Sequence, residues 1–190
     1  ARLRSIQERF TENDRDAVLL LTQIDGDWFA PRRLEALNDL HQRIAAIAIK
    51  DAHRALLSQG PCANEEDAST SAFEQVQSLA QSTVFRRRGK SIQIESLREE
   101  KGYGDAARNR DELLGHPLLN GRLISGDGRS TLVFARIHCP LKADAVLKGY
   151  LVELRQVLAR WVSENPGVEA HTTGIAYIQN DIIRTMRSEL

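Results

Sequence analysis

Two apolar stripes at helical spacing, each set between short strand-like runs, constrain this chain more than any other feature of it. The first runs through Leu34, Leu37, Leu40, Ile44 and Ile47, and steps of three and four residues put those side chains on one side of an amphipathic helix. Pro31 stands at its first position, where the missing N–H would lack a helical partner in any case. The second stripe, Leu147, Tyr150, Leu151, Leu154, Leu158 and Trp161, belongs to a helix expected over residues 143–164, which Asn165-Pro166-Gly167 stops. Compact apolar runs precede each helix, at residues 16–22 and 130–137, and at that length they read as buried strands. Residues 168–174 alternate Val168, Ala170 and Thr172 against Glu169, His171 and Thr173, which is the pattern of a further strand.

A helix with one apolar side must bury it against another layer, so strand-helix-strand used twice predicts an α+β fold. The expected arrangement is the ferredoxin-like split β-α-β, an antiparallel sheet with two helices on one face. Its core is expected from the helix stripes and from strands near 16–22, 75–85, 130–138 and 168–174. The first helix is expected to continue towards Leu57 until Gly60-Pro61 ends it. A polar insert follows at about 60–71, carrying Glu65, Glu66 and Asp67. Residues 73–85 read as extended, Arg86-Arg87-Arg88-Gly89-Lys90 as a turn, and 91–97 as the returning strand of a hairpin. With a short helix over 106–114, this makes a hairpin/helix insert at about 86–117 within a single domain, 1–190. Residues 118–125 and 130–137 flank Gly126-Asp127-Gly128 and read as a second hairpin. A closing helix is expected over 175–190.

Composition narrows the function classes. The 190 residues carry 26 basic and 26 acidic side chains, and only 5% are aromatic. That balance argues against a disordered tail and against a nucleic-acid surface. The longest apolar runs, 17–21 and 44–49, fall far short of the roughly 20 residues of a membrane span. The chain starts at Ala1 without an apolar signal segment, and its last helix has no cap, so it is expected to be a piece of something longer.

No constellation carries chemistry. Gly102-Tyr103-Gly104-Asp105-Ala106-Ala107 has the spacing of a phosphate loop, but charged Arg98, Glu99, Glu100 and Lys101 separate it from an alternating strand, so it reads as a loop. His41 and His53 lie about 120° apart around a helix, and His138 and Cys139 point to opposite faces of a strand. No catalytic residue, metal site or cofactor is expected. The basic run 86–90 reads as a solvated turn. Trp28 and Phe29, between strand and helix, read either as weak candidates for contact with an apolar ligand or as a cap on the core. Cys62 and Cys139 read as two free thiols or as one disulfide, and the second needs an oxidising compartment.

Three segments carry a resemblance. They are Asp16–Leu21 with Asp25-Gly26-Asp27-Trp28-Phe29-Ala30-Pro31, Leu34 and Leu37; the run from Leu119 through Leu123-Ile124-Ser125-Gly126-Asp127-Gly128 to Val133; and Gly167-Val168-Glu169-Ala170-His171-Thr172-Thr173-Gly174, then Asp181. In this order they resemble the large extracytoplasmic (periplasmic) loop domain of resistance-nodulation-division (RND) superfamily exporters of the MMPL type. Residues 49–71, ahead of Val76-Gln77-Ser78-Leu79, depart from that pattern as an insertion. The resemblance implies a porter-type domain of a proton-driven membrane exporter, which passes or gates a hydrophobic or lipid-like substrate and performs no chemistry. It implies as partners the exporter's own membrane domain and that substrate, no nucleic acid, and leaves room for a homo-oligomer. It also implies an extracytoplasmic setting in which a Cys62–Cys139 disulfide and free thiols both stay open. The alternative is a stand-alone ferredoxin-like module that senses a small ligand.

Overall fold

Burial along β1 (Asp16–Gln23) alternates strictly, with Ala17, Leu19, Leu21 and Gln23 inside and Val18, Leu20 and Thr22 half-buried on the other face. β5 (Ser130–Ile137) alternates in the same way, burying Thr131, Val133, Ala135 and Ile137. The antiparallel register sets Ala17 opposite Ala135, Leu19 opposite Val133 and Leu21 opposite Thr131, so the two alternations are in phase. A slip of one residue would turn every one of these side chains to the wrong face. These strands belong to a computed structural model that describes residues 16–57, 70–88, 91–98, 102–138, 141 and 144–178.

β6 (Val168–Thr173) pairs antiparallel with the other edge of β1, and β2 (Phe73–Gln77) pairs antiparallel with β5. The sheet order is therefore β2-β5-β1-β6. Helices α1 (Pro31–Ala45) and α5 (Asp144–Glu164) bring their stripes to one core with the buried face of this sheet. Trp161 fixes one helix to the other, its Nε1 donating to the Ala36 carbonyl at 2.9 Å. The molecule is thus an α+β fold built on an antiparallel sheet.

Several local expectations are corrected. The first helix stops at Ala45 instead of running to Leu57, and a separate helix, α2 (Asp51–Leu57), follows. Between them Ile47 and Ile49 turn inward, and the chain pairs with the segment before β2: the Ile49 amide donates to Thr70 and the Ala72 amide to Ile47, at 2.8 and 2.7 Å. Tyr150 from α5 accepts the Lys50 amide at 3.0 Å, which holds the break in place.

The extended stretch 73–85 is two strands in different sheets. A 3-10 turn at Leu79–Gln81 buries Leu79 and Ala80 and sends the chain into β3 (Thr83–Arg88), which pairs with β4 (Ser91–Ser96) as the expected hairpin. The basic residues 86–88 thus lie in β3, with Arg88 opposite Ser91. The short helix divides at Asn109 into α3 (Gly104–Arg108) and α4 (Arg110–Leu114). Residues 118–125 form no strand. Residues 118–122 coil into turns, Asn120 bonding back to His116 and Leu123 to Leu119, which buries Leu119 and Ile124. The base of the expected hairpin is present: Ile124 lies opposite Thr131, the Ser125 amide donates to Ser130 at 2.8 Å and the Leu132 amide to Leu123 at 3.0 Å. Cys62, Cys139 and Asp181, most of the polar insert and the closing helix past Ile178 lie outside the described residues.

Candidate functional site

The three segments singled out in the sequence meet at one end of the main sheet. Where β1 ends, the Gln23 amide donates to the Arg129 carbonyl and the Ile24 amide to the Gly167 carbonyl, both at 2.9 Å. One turn further on, the Trp28 amide donates to the Gly128 carbonyl at 3.0 Å. The Asp25–Pro31 turn therefore lies against the Ser125–Gly128 turn, with the start of β6 beside them.

Short polar side chains shape both turns. Asp27 Oδ1 accepts the Phe29 amide at 2.9 Å, an Asx turn that leads into α1. The Ser125 hydroxyl donates to Asp127 Oδ1 at 2.5 Å and accepts the Ser130 amide at 2.8 Å, while the Arg129 amide donates to the same carboxylate oxygen at 2.9 Å. The Ser125 hydroxyl, helped by the Arg129 N–H, holds the Asp127 carboxyl below its ordinary range. Gly128 has φ +77°, and a Cβ there would stand 3.3 Å from that of Asp27, so the close approach of the turns calls for glycine.

Arg110 at the start of α4 clamps the junction. Its guanidinium pairs with Asp27, donates to the Asp127 carbonyl at 3.1 Å and reaches Asp111 at 3.1 Å. The hydrogen bond to Asp27, the largest influence, makes this guanidinium still harder to deprotonate. Arg129 donates to the carbonyls of Ile24 and Gln23, and Arg33 reaches the Pro166 carbonyl at 3.4 Å. The cations thus hold backbone carbonyls and turn carboxylates together, and the Ser125 hydroxyl is engaged both as donor and as acceptor. This is the chemistry of a structural lock.

Beneath the lock the apolar core holds two buried polar groups. Gln23 is fully buried, and neither atom of its amide has a partner among the described residues; the same holds for Nε1 of buried Trp28. Trp28 and Phe29 are 0% and 1% exposed, so both rings sit in the core. They line neither of the two recesses described next.

The face of the sheet away from the core carries half-buried Val18, Leu20, Leu132 and Phe134, with Asp16 and Arg136 paired through two bonds of 2.8 and 3.1 Å. Leu20 and Leu132 continue into a cleft of about 180 Å³, closed by Gly121, Arg122, Leu123 and Ile124. A larger groove of about 670 Å³ runs between α5 and β6, along Leu158, Val162, Val168 and Ala170. The histidines stand apart in local contacts: His41 Nδ1 with the Ser78 hydroxyl at 3.1 Å, His53 Nδ1 with the Tyr150 hydroxyl at 3.0 Å, and His138 beside Glu74 at 3.8 Å. Burial lowers the His41 pKa.

No family model matches this chain, and the comparison with curated proteins found no match. Function has to be argued from the motifs and their geometry. Sequence reasoning singled out the Asp127-Gly128 turn but overlooked Arg110 and Gln23. Arg110 stands in a charged helix among other arginines, and nothing in its spacing marks it. Gln23 follows the apolar run, and the strict alternation of β1, continued by one residue, would have placed it inside.

Proposed function

We propose that this chain is an extracytoplasmic, porter-type domain of a proton-driven RND exporter of the MMPL type, with a ferredoxin-like split β-α-β fold. In this reading it shapes the passage of a hydrophobic or amphiphilic substrate and carries out no chemistry. The observation that carries the proposal is the meeting of the three family-like segments at one end of the sheet, joined by backbone bonds at Gln23, Ile24 and Trp28. Segments that match a family for a structural reason are expected to touch one another, whereas chance matches along 190 residues have no reason to.

Two further features support the fold part of the reading. The order β2-β5-β1-β6, antiparallel throughout, is the order a split β-α-β requires when the inserted hairpin is set aside. The helix that follows β1 and the helix that follows β5 also share one core. The half-buried apolar strip on the outer face suits contact with a lipid-like molecule or with a neighbouring domain better than it suits a polar substrate.

None of the described helices is long and apolar enough to cross a membrane. The test is the reading frame around this segment. Apolar runs of about 20 residues are expected before Ala1 and after Leu190, and a stop codon directly after Leu190 sinks the proposal.

A further inference from the structure

Of the two outer strands of the main sheet, one is defended, and the other is unpaired on its outer side among the described residues. On β2 the register shifts between Phe73 and Gln75, and Ser71 just before it bridges to Ala48. Irregularities of this kind keep another strand from adding to an edge. β6 has none. It pairs with β1 in unbroken register from Val168 to Thr173 and contains no proline or lysine, and among the described residues no strand lies on its outer side.

The register also says which backbone groups face outward. The Ile24 amide bonds to the Gly167 carbonyl, so residues 167, 169, 171 and 173 turn their N–H and C=O groups towards β1. Val168, Ala170 and Thr172 turn theirs to the open edge. Val168, Glu169, Ala170 and His171 all border the groove beside α5; Val168 is buried and Ala170 half-buried, whereas Glu169 and His171 are exposed.

We infer that the occupant of this edge is a second copy of the same chain, joined β6 to β6 about a two-fold axis at Ala170. Charge selects that register. An antiparallel pairing of two identical strands that uses the outward groups can be centred on any residue from Val168 to Thr172. Centring on Val168 overlaps only one residue of β6, and centring on Glu169 or on Thr172 only three, whereas Ala170 and His171 each overlap five. Centring on Glu169 sets two carboxylates opposite each other, and centring on His171 sets two imidazoles opposite each other. Centring on Ala170 bonds Val168 to the partner's Thr172 and Ala170 to its counterpart, and it sets each Glu169 opposite an imidazole of the other copy, twice over.

The axis stands perpendicular to the sheet, so both copies keep their helices on the same side. The groove of about 670 Å³, lined by Leu158, Val162, Val168 and Ala170 together with the charged Arg155 and Glu169, then faces the same groove of the second copy, so that the apolar parts of the two walls cover each other. This inference stands apart from the porter reading, since it needs only β6 and α5.

Sedimentation equilibrium of the full chain tests it, with far-UV circular dichroism to confirm that each variant is folded. The expected result is a reversible dimer. His171→Glu replaces two attractive cross-strand pairs by two repulsive ones and should weaken the dimer about tenfold or more. Combining Glu169→His with His171→Glu exchanges the charges within the same register and should restore it. Ala170→Pro removes an N–H that β1 does not use, so it should leave the folded monomer and abolish the dimer. A chain that stays monomeric at every concentration overturns the inference. A dimer indifferent to His171→Glu and to Ala170→Pro overturns it as well.

Discussion

Replacing Gly174 by alanine should be among the most damaging single methyl additions in this protein. The residue ends β6 with φ +104°, and a Cβ built there lies 2.5 Å from the Asp16 carbonyl oxygen and 3.0 Å from the Val18 amide nitrogen. Both obstacles are backbone of β1, a central strand held on each side by a ladder. Neither can swing away as a side chain would. The unfavourable φ alone costs about 1–3 kcal/mol, and forcing packed backbone apart adds about 1–3 kcal/mol.

The sum, about 2–6 kcal/mol, is a large share of the roughly 5–15 kcal/mol that stabilises a typical domain. At about 2–4 °C per kcal/mol for a chain of this size, Tm should fall by about 4–24 °C. Urea unfolding followed by circular dichroism, with a calorimetric scan alongside, measures both quantities. Gly104→Ala is the control. It opens a helix, and its added Cβ meets nothing within 4 Å, so the same chemical change should be neutral or stabilise by up to about 1 kcal/mol. A Gly174→Ala protein within about 2 °C of the parent would falsify the close-approach argument.

Other substitutions probe the core. Gln23→Met keeps the shape and removes a buried amide that has no partner among the described residues, so equilibrium unfolding should show unchanged or higher stability, by about 1 kcal/mol; a clear loss would reveal a partner for that amide. Trp161→Phe gives up the bond to Ala36 that ties α5 to α1 and should cost about 1–3 kcal/mol in the same assay, with an unchanged midpoint counting against the tie. Burial pushes the Tyr177 phenol up to about 12, from about 10 in an unfolded chain. A raised folded-state pKa means that this contribution is complete below pH 10 or so and is lost as pH rises towards 12. Tyr177→Phe should therefore flatten the alkaline limb of a stability–pH curve, although Tyr103 and Tyr150, also raised by burial, keep part of it. An identical alkaline limb in parent and variant would refute this assignment.

Long periodic elements were legible from residues alone. The stripes of α1 and α5 and the alternation of β1, β5 and β6 each repeat a period set by local backbone geometry, which needs no knowledge of distant residues. The same reasoning misjudged places where a distant partner decides. Residues 46–50 are apolar enough to prolong a helix, yet pairing with residues 70–72 and the Tyr150 hydroxyl takes their backbone out of it. Residues 73–85 alternate like one strand, yet the core takes Leu79 and Ala80 in a 3-10 turn and splits it between two sheets. Residues 118–125 look like half of a hairpin, yet only 123–125 pair with 130–132, and burial of Leu119 takes 118–122 into turns.

The candidate site divides in the same way. Asp27, Ser125, Asp127 and Gly128 announce turns because their hydrogen bonds and backbone angles are local, within five residues of one another in each turn. Arg110 joins those turns from 83 residues beyond Asp27, and only the packed chain brings it there. By itself, then, the sequence determined which long periodic segments become strands and helices and which face of each is apolar, since those depend on period and composition. Tertiary structure decided strand order, the breaks within apparently continuous elements, and the place of β6 at the outside of the described sheet, because each depends on which distant backbone groups are left to satisfy one another.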